Sequence, residues 1–89
     1  MKVQIITQPI SGRYEEKIFP ENKLIKYCSW VKFERDDYSE WRGCFSGEAF
    51  QCVVLEDSHL VLIGTDEAIY KIDGETKKQI QLYYMVITR

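Results

Sequence analysis

The chain has 89 residues, of which 45% are hydrophobic, 13% aromatic and 29% charged. That length permits one core and no second domain, so a single domain over 1–89 is expected; aromatic and β-branched residues are too frequent for disorder, and no stretch approaches about 18 uncharged apolar residues, so no membrane span is predicted. A net charge of −2 argues against a dedicated phosphate-backbone binder.

The dominant period is two, the signature of half-buried strands. Lys2 to Gln8 alternates loosely, with Val3, Ile5 and Thr7 on one side, and ends at Pro9 and Ser11-Gly12. This start breaks its apolar run with Gln and Pro and does not read as an export signal, which points to the cytoplasm. Tyr14 to Phe19 makes a second short strand, stopped by Pro20-Glu21-Asn22. From Lys23 to Glu34, Ile25, Tyr27, Val31 and Phe33 alternate with Lys26, Lys32 and Glu34. A helix starting at Pro20 and continuing through Leu24, Cys28 and Val31 competes over 20–32, and the β-favouring residues Tyr27, Trp30, Val31 and Phe33 tip the reading to strand.

Arg35-Asp36-Asp37 turns the chain. Trp41, Gly43 and Phe45 alternate up to Gly47, and in Ala49 to Glu56 the side chains of Phe50, Cys52 and Val54 are expected on one face. After Glu56-Asp57-Ser58, Leu60 to Ile63 is a continuous apolar run; Ala68, Tyr70 and Ile72 then alternate up to Asp73-Gly74, the strongest short hairpin signal in the chain. Gln79 to Thr88 carries apolar residues on both faces, which predicts a central strand or one that pairs across a subunit boundary. The sum is an all-β domain: a small antiparallel barrel or two-layer sandwich of seven to eight short strands, with at most one short helix.

Charge is unevenly spread. Residues 1–42 hold eight Lys/Arg against seven Asp/Glu, residues 43–70 none against five, and residues 71–89 four against two. If the middle segment folds to one side, that side repels nucleic acid and favours a basic partner. The odd number of cysteines (Cys28, Cys44 and Cys52), without an export signal or a Cys-x-x-Cys spacing, predicts buried, reduced thiols. His59 is the only histidine, so no metal site is expected.

Catalytic arrangements are thin, and no enzymatic activity or cofactor is expected. Asp57-Ser58-His59 has the residue types of a hydrolase triad, but neighbours in an extended segment cannot form the relay, because Ser58 points away from the other two. The glycines are scattered singly and form no phosphate cradle. Aromatic residues are the remaining signal. Trp30, Trp41 with the adjacent Arg42, and Tyr83 are the expected partner-binding residues, because Trp, Tyr and Arg dominate interfaces. The function that follows is a protein-interaction or self-association module, a homodimer or an acidic inhibitor or immunity-type binder of a basic protein. A single-stranded nucleic-acid binder, with Lys26, Tyr27, Trp30 and Lys32 as a stacking platform, is the alternative.

One local resemblance adds to this. Leu60-Val61-Leu62-Ile63-Gly64-Thr65-Asp66, followed by Tyr70, Asp73, Thr76 and Lys77, resembles part of a blade of the quinoprotein-type β-propellers, over about a fifth of the chain. Glu67 stands where that blade turn normally has Gly, the tryptophan that usually follows is missing, and the chain has room for two blades at most. The resemblance implies a hairpin in which Asp73 caps the turn to Thr76, and no cofactor or substrate.

Overall fold

The computed structural model describes residues 1–7, 15–19, 27–55 and 59–84, and these form eight strands and no helix. In chain order they are β1 (Lys2–Ile6), β2 (Glu15–Phe19), β3 (Cys28–Glu34), β4 (Glu40–Ser46), β5 (Ala49–Val54), β6 (Leu60–Thr65), β7 (Ala68–Asp73) and β8 (Lys78–Tyr84). The strands make two four-stranded sheets, in the orders β1-β3-β4-β2 and β5-β6-β7-β8. The domain is therefore all-β, as the periodicity predicts. Five of the six strand pairings among the described residues are antiparallel, but β2 lies parallel to β4, from Glu15 opposite Trp41 to Phe19 opposite Phe45. β3 intervenes in sequence between them, so the chain returns to β2's side in the same direction, as a parallel pair requires.

Alternation puts one row of each sheet into a shared core. From the first sheet come Phe19, Val31, Phe33, Trp41 and Phe45, and from the second Val61, Ile63, Ala68, Tyr70 and Ile72, all buried. Trp41 stacks on Phe33 with ring centroids 4.0 Å apart, Phe19 stacks on Phe45 at 4.9 Å, and Phe45 meets Tyr70 of the opposite sheet edge-on at 5.1 Å. Gly43 lies under these rings. A Cβ there would come within 2.7 Å of Phe45 and 3.3 Å of Phe33, so the aromatic layer needs the missing side chain. Two polar contacts also tie the sheets together: Trp41 Nε1 donates to the Gly74 carbonyl at 2.9 Å, and the Tyr70 hydroxyl donates to the Ser46 carbonyl at 3.3 Å.

The crossing between sheets occurs at Gly47, whose φ of 98° is open to glycine and strained for other residues. Its amide donates to the Tyr27 carbonyl, and Ser29 Oγ donates to the Gly47 carbonyl while accepting from the Ala49 amide, which anchors the crossing to β3. Turn chemistry closes the hairpins. Asp37 accepts from the amide and hydroxyl of Ser39 between β3 and β4. Asp73 accepts from the amides of Glu75 and Thr76 between β7 and β8, the cap that the blade resemblance implies.

Several expectations need correction. Cys28 and Cys44 are joined by a disulfide, with Cα atoms 5.8 Å apart, and are not reduced. In the β3–β4 ladder Cys28 lies opposite Ser46 and Cys44 opposite Trp30, so the two cysteines are diagonal neighbours on the same outer face. Spacing along the chain could not reveal this without the register. Cys52, on β5 of the other sheet, is the free cysteine. The last strand is not central: β8 pairs only with β7 among the described residues. The expected helix-or-strand ambiguity over 20–32 resolves to strand from Cys28 onward, and 20–26 lie outside the described residues.

Candidate interaction surface

The β5–β8 sheet turns an apolar outer face to solvent. Two rows of paired residues cross it: Gln51, Gly64, Ile69 and Tyr83 in one, Val53, Leu62, Lys71 and Gln81 in the other. The ladder shifts register between Ala49 and Gln51, and Phe50 is the extra residue of that bulge. This overturns the expectation that Phe50 shares a face with Cys52 and Val54. Cys52 and Val54 pack against the core, whereas Phe50 is 61% exposed, its ring lying over Gly64 at 3.3 Å from where a Cβ would be. Phe50, Gln51, Val53, Leu62, Gly64 and Ile69 line a groove of about 260 Å³.

One end of this face is acidic. Asp66 and Glu67 in the β6–β7 turn lie against Glu48, which follows Gly47; the Glu48 amide donates to Asp66 Oδ1 at 2.8 Å, the Asp66 amide donates back to the Glu48 carbonyl at 3.1 Å, and Ser46 Oγ donates to Glu67. The segment 43–70 that carries these carboxylates contains no Lys or Arg. Folding thus gathers three of its five acids around the Gly47 crossing, each two residues along the chain from Phe50, Gly64 or Ile69 at one end of the groove, and Glu48 also lines the opening beside Trp30.

Of the four residues expected to bind a partner, Tyr83 belongs to this face. It is 52% exposed, and its hydroxyl donates to Gln81 Oε1 at 2.7 Å. Trp41 does not reach the surface, being fully buried in the aromatic layer. Arg42 points to the other side of β4 and is only 8% exposed, with Nη1 3.7 Å from Glu40. Trp30 is half-buried on the outer face of the first sheet, where it lines an opening of about 580 Å³ with Ile5, Ile6, Tyr27 and Glu48. Lys32 shares that face, 3.6 Å from Glu40, and Lys26 lies outside the described residues. Three residues of the expected stacking platform, Tyr27, Trp30 and Lys32, thus lie on or beside this face, and the fourth is outside the described residues.

Phe50, Val53, Leu62 and Ile69 were not singled out from sequence. Three of them carried a signal: Val53, Leu62 and Ile69 are apolar at positions whose neighbours already fill the core face. Phe50 carried none, because only the bulge sends it outward.

Asp57 and Ser58 lie outside the described residues, and His59 Nδ1 is 3.8 Å from Glu75. Hydrogen bonds from Ser39 hold the Asp37 carboxyl below the usual range, and the amino terminus does the same for Asp36. Burial pushes the Cys52 thiol up to about 11 and the Tyr70 phenol up to about 12. Neither is poised for nucleophilic or acid–base work near neutrality. No helix of the described residues is long and apolar enough to cross a membrane. No family model, curated protein or solved structure matches the chain.

Proposed function

We propose that the chain is a non-catalytic binding domain whose working surface is the outer face of the β5–β8 sheet, and that this face takes a protein presenting apolar side chains flanked by Lys or Arg. An acidic inhibitor of a basic protein is one form of this function. The observation that carries the reading is the open groove of Phe50, Val53, Leu62 and Ile69 beside Glu48, Asp66 and Glu67. A contiguous exposed apolar patch with a polar rim is the usual mark of an interaction site, and a rim of one sign selects the charge of the partner. The opposite outer face supports the choice by contrast. Its cations Lys32 and Arg42 lie against Glu40, and its central Cys44 is 4% exposed.

The test compares three baits in affinity capture from native cell extract: wild type, Ile69→Asp in the groove, and Glu34→Lys on the other sheet. A protein retained by wild type and Glu34→Lys, lost on Ile69→Asp, and released by salt is the expected result. Identical capture by all three folded baits overturns the reading.

A further inference from the structure

We propose that the opening between the end of β1, the start of β3 and the start of β5 is a binding site for a small organic ammonium compound, which sets its charge against Glu48 and its apolar body against Trp30 and Tyr27. The site lies off the β5–β8 outer face and takes a free small molecule, so it goes beyond the binding-domain reading.

Three stretches of chain meet at this opening of about 580 Å³: Ile5 to Thr7, Tyr27 to Trp30, and Glu48 with Ala49. Their backbones are fastened to one another. The Gly47 amide donates to the Tyr27 carbonyl at 3.0 Å, and Ser29 Oγ donates to the Gly47 carbonyl at 2.9 Å while accepting from the Ala49 amide at 2.7 Å. Glu48 is held from its other side, its amide donating to Asp66 Oδ1 and its carbonyl accepting from the Asp66 amide. Trp30 has Ile6 opposite it on β1 and Cys44 opposite it on β4, and the disulfide from Cys44 to Cys28 pins the start of β3 two residues away. The walls are therefore in place before a ligand arrives, which removes much of the ordering cost of binding.

The side chains on those walls are uncommitted. The Glu48 carboxylate, the Tyr27 hydroxyl and the Trp30 indole N–H have no hydrogen-bond or ion-pair partner among the described residues, and neither ring packs on another described aromatic. Tyr27 is 61% and Ile5 41% exposed, so the opening also leaves apolar surface in water. Glu48 is the only charged side chain among the described residues that line it. A carboxylate beside two aromatic rings suits an ammonium group, since the carboxylate pairs with the charge and the ring faces attract a cation, while an anion is repelled. Size selects the source of that group. The opening is larger than one lysine side chain fills and lies within the ~300–1,000 Å³ of small-molecule sites, so the occupant is an amine that carries its own apolar body.

Three probes with one apolar body separate charge from burial: phenylbutylamine, phenylbutanol and phenylbutyrate. Titrated into the isotope-labelled intact chain at low ionic strength, the amine is expected to shift the nuclear magnetic resonance signals of residues 27–30 and 48–49 with a Kd of about 1 mM or tighter, at least about fivefold tighter than the alcohol, and the butyrate is expected to bind more weakly than either. Glu48→Gln, a substitution at an exposed side chain, should bring the amine down to the alcohol's affinity and leave the alcohol unchanged. Trp30→Ala should weaken both. No shift at those residues up to about 10 mM amine, a smaller preference for the amine, or a preference that survives Glu48→Gln overturns the site. Tighter binding of acetyl-trimethyllysine amide than of phenylbutylamine also overturns it, because the opening would then belong to a protein's side chain. Shifts centred on Ile69 would put the amine in the groove and overturn it as well. Ile69→Asp does not touch the opening, so failure of this site and failure of the groove are separately readable.

Discussion

Trp41 is the residue at which sequence and structure make opposite predictions, and Trp41→Phe decides between them. A partner-binding tryptophan would leave the free domain's stability almost unchanged on replacement. The structure puts it on Phe33 at 4.0 Å, with Nε1 donating to the Gly74 carbonyl at 2.9 Å and no exposed surface. Phenylalanine retains part of the stack but deletes the donor and leaves a void where the second ring lay. A buried acceptor that loses its partner costs about 1–3 kcal/mol, and an unfilled space of roughly 40 Å³ adds about 1 kcal/mol at ~24 cal/mol per Å³. The expected loss is about 2–4 kcal/mol, against a total on the order of 5–13 kcal/mol for a domain of this length. Urea unfolding followed by far-ultraviolet circular dichroism measures it, and an unchanged m-value assigns the shift in midpoint to stability. A loss under about 0.5 kcal/mol, the range of ordinary surface substitutions, would refute the buried stack and return Trp41 to the list of surface candidates.

Gly43→Ala presses a Cβ to within 2.7 Å of Phe45; overpacking at about 1–3 kcal/mol outweighs the ~0.5–1 kcal/mol gained by removing glycine from a strand, so the same urea series should show a net loss. Replacing Cys28 and Cys44 together by serine should cost about 2–4 kcal/mol, the usual worth of a bridge closing a loop with a sequence separation of 16. Maleimide labelling of protein taken from its native cells should leave this pair unmodified in an oxidising compartment; three reactive cysteines after unfolding would instead place the chain in a reducing cytoplasm. At alkaline pH, Cys52 and Tyr70 both have folded pKa values above their ordinary 9.0 and 10.0; the folded state therefore holds these protons longer than the unfolded chain, and stability should fall as pH rises from about 9 to about 12 in thermal melts. Single-stranded DNA should show no salt-dependent binding below about 100 µM by fluorescence anisotropy, because the described cations of the Trp30 face lie against Glu40.

Much of the architecture was legible because alternation is a local property. Val31 and Phe33, Trp41 and Phe45, and Tyr70 and Ile72 each declare a face within a few residues, and each pair is buried on the face its parity predicts. Asp37 and Asp73 likewise announce their turns, since an Asx cap needs only the next two or three amides. Relations between distant segments were not legible. The parallel partner of β2, the diagonal that joins Cys28 to Cys44 and the edge position of β8 depend on which strands become neighbours, and no spacing encodes that. Trp41 was misassigned for a related reason. An aromatic in a strand has the same local signature whether its face meets the other sheet or a partner.

Phe50 links this limit to the proposed function. By parity it belongs with Cys52 and Val54 in the core, where full burial of a phenylalanine is worth about 1.5–3 kcal/mol. The bulge between Ala49 and Gln51 reverses it and leaves more than half of its surface in water, so the folded domain forgoes on the order of 1 kcal/mol at this position. The same bulge sets the ring over Gly64, where any side chain would crowd it, and beside Val53, Leu62 and Ile69, three more apolar residues on the solvent side. A solvent-facing sheet row of polar residues would avoid this cost. Four separate positions on three strands share the exception, and the turns that carry Glu48, Asp66 and Glu67 flank the same strands at one end. A covering partner recovers the forgone burial at all four positions together, which is the physical reason for expecting one on this face.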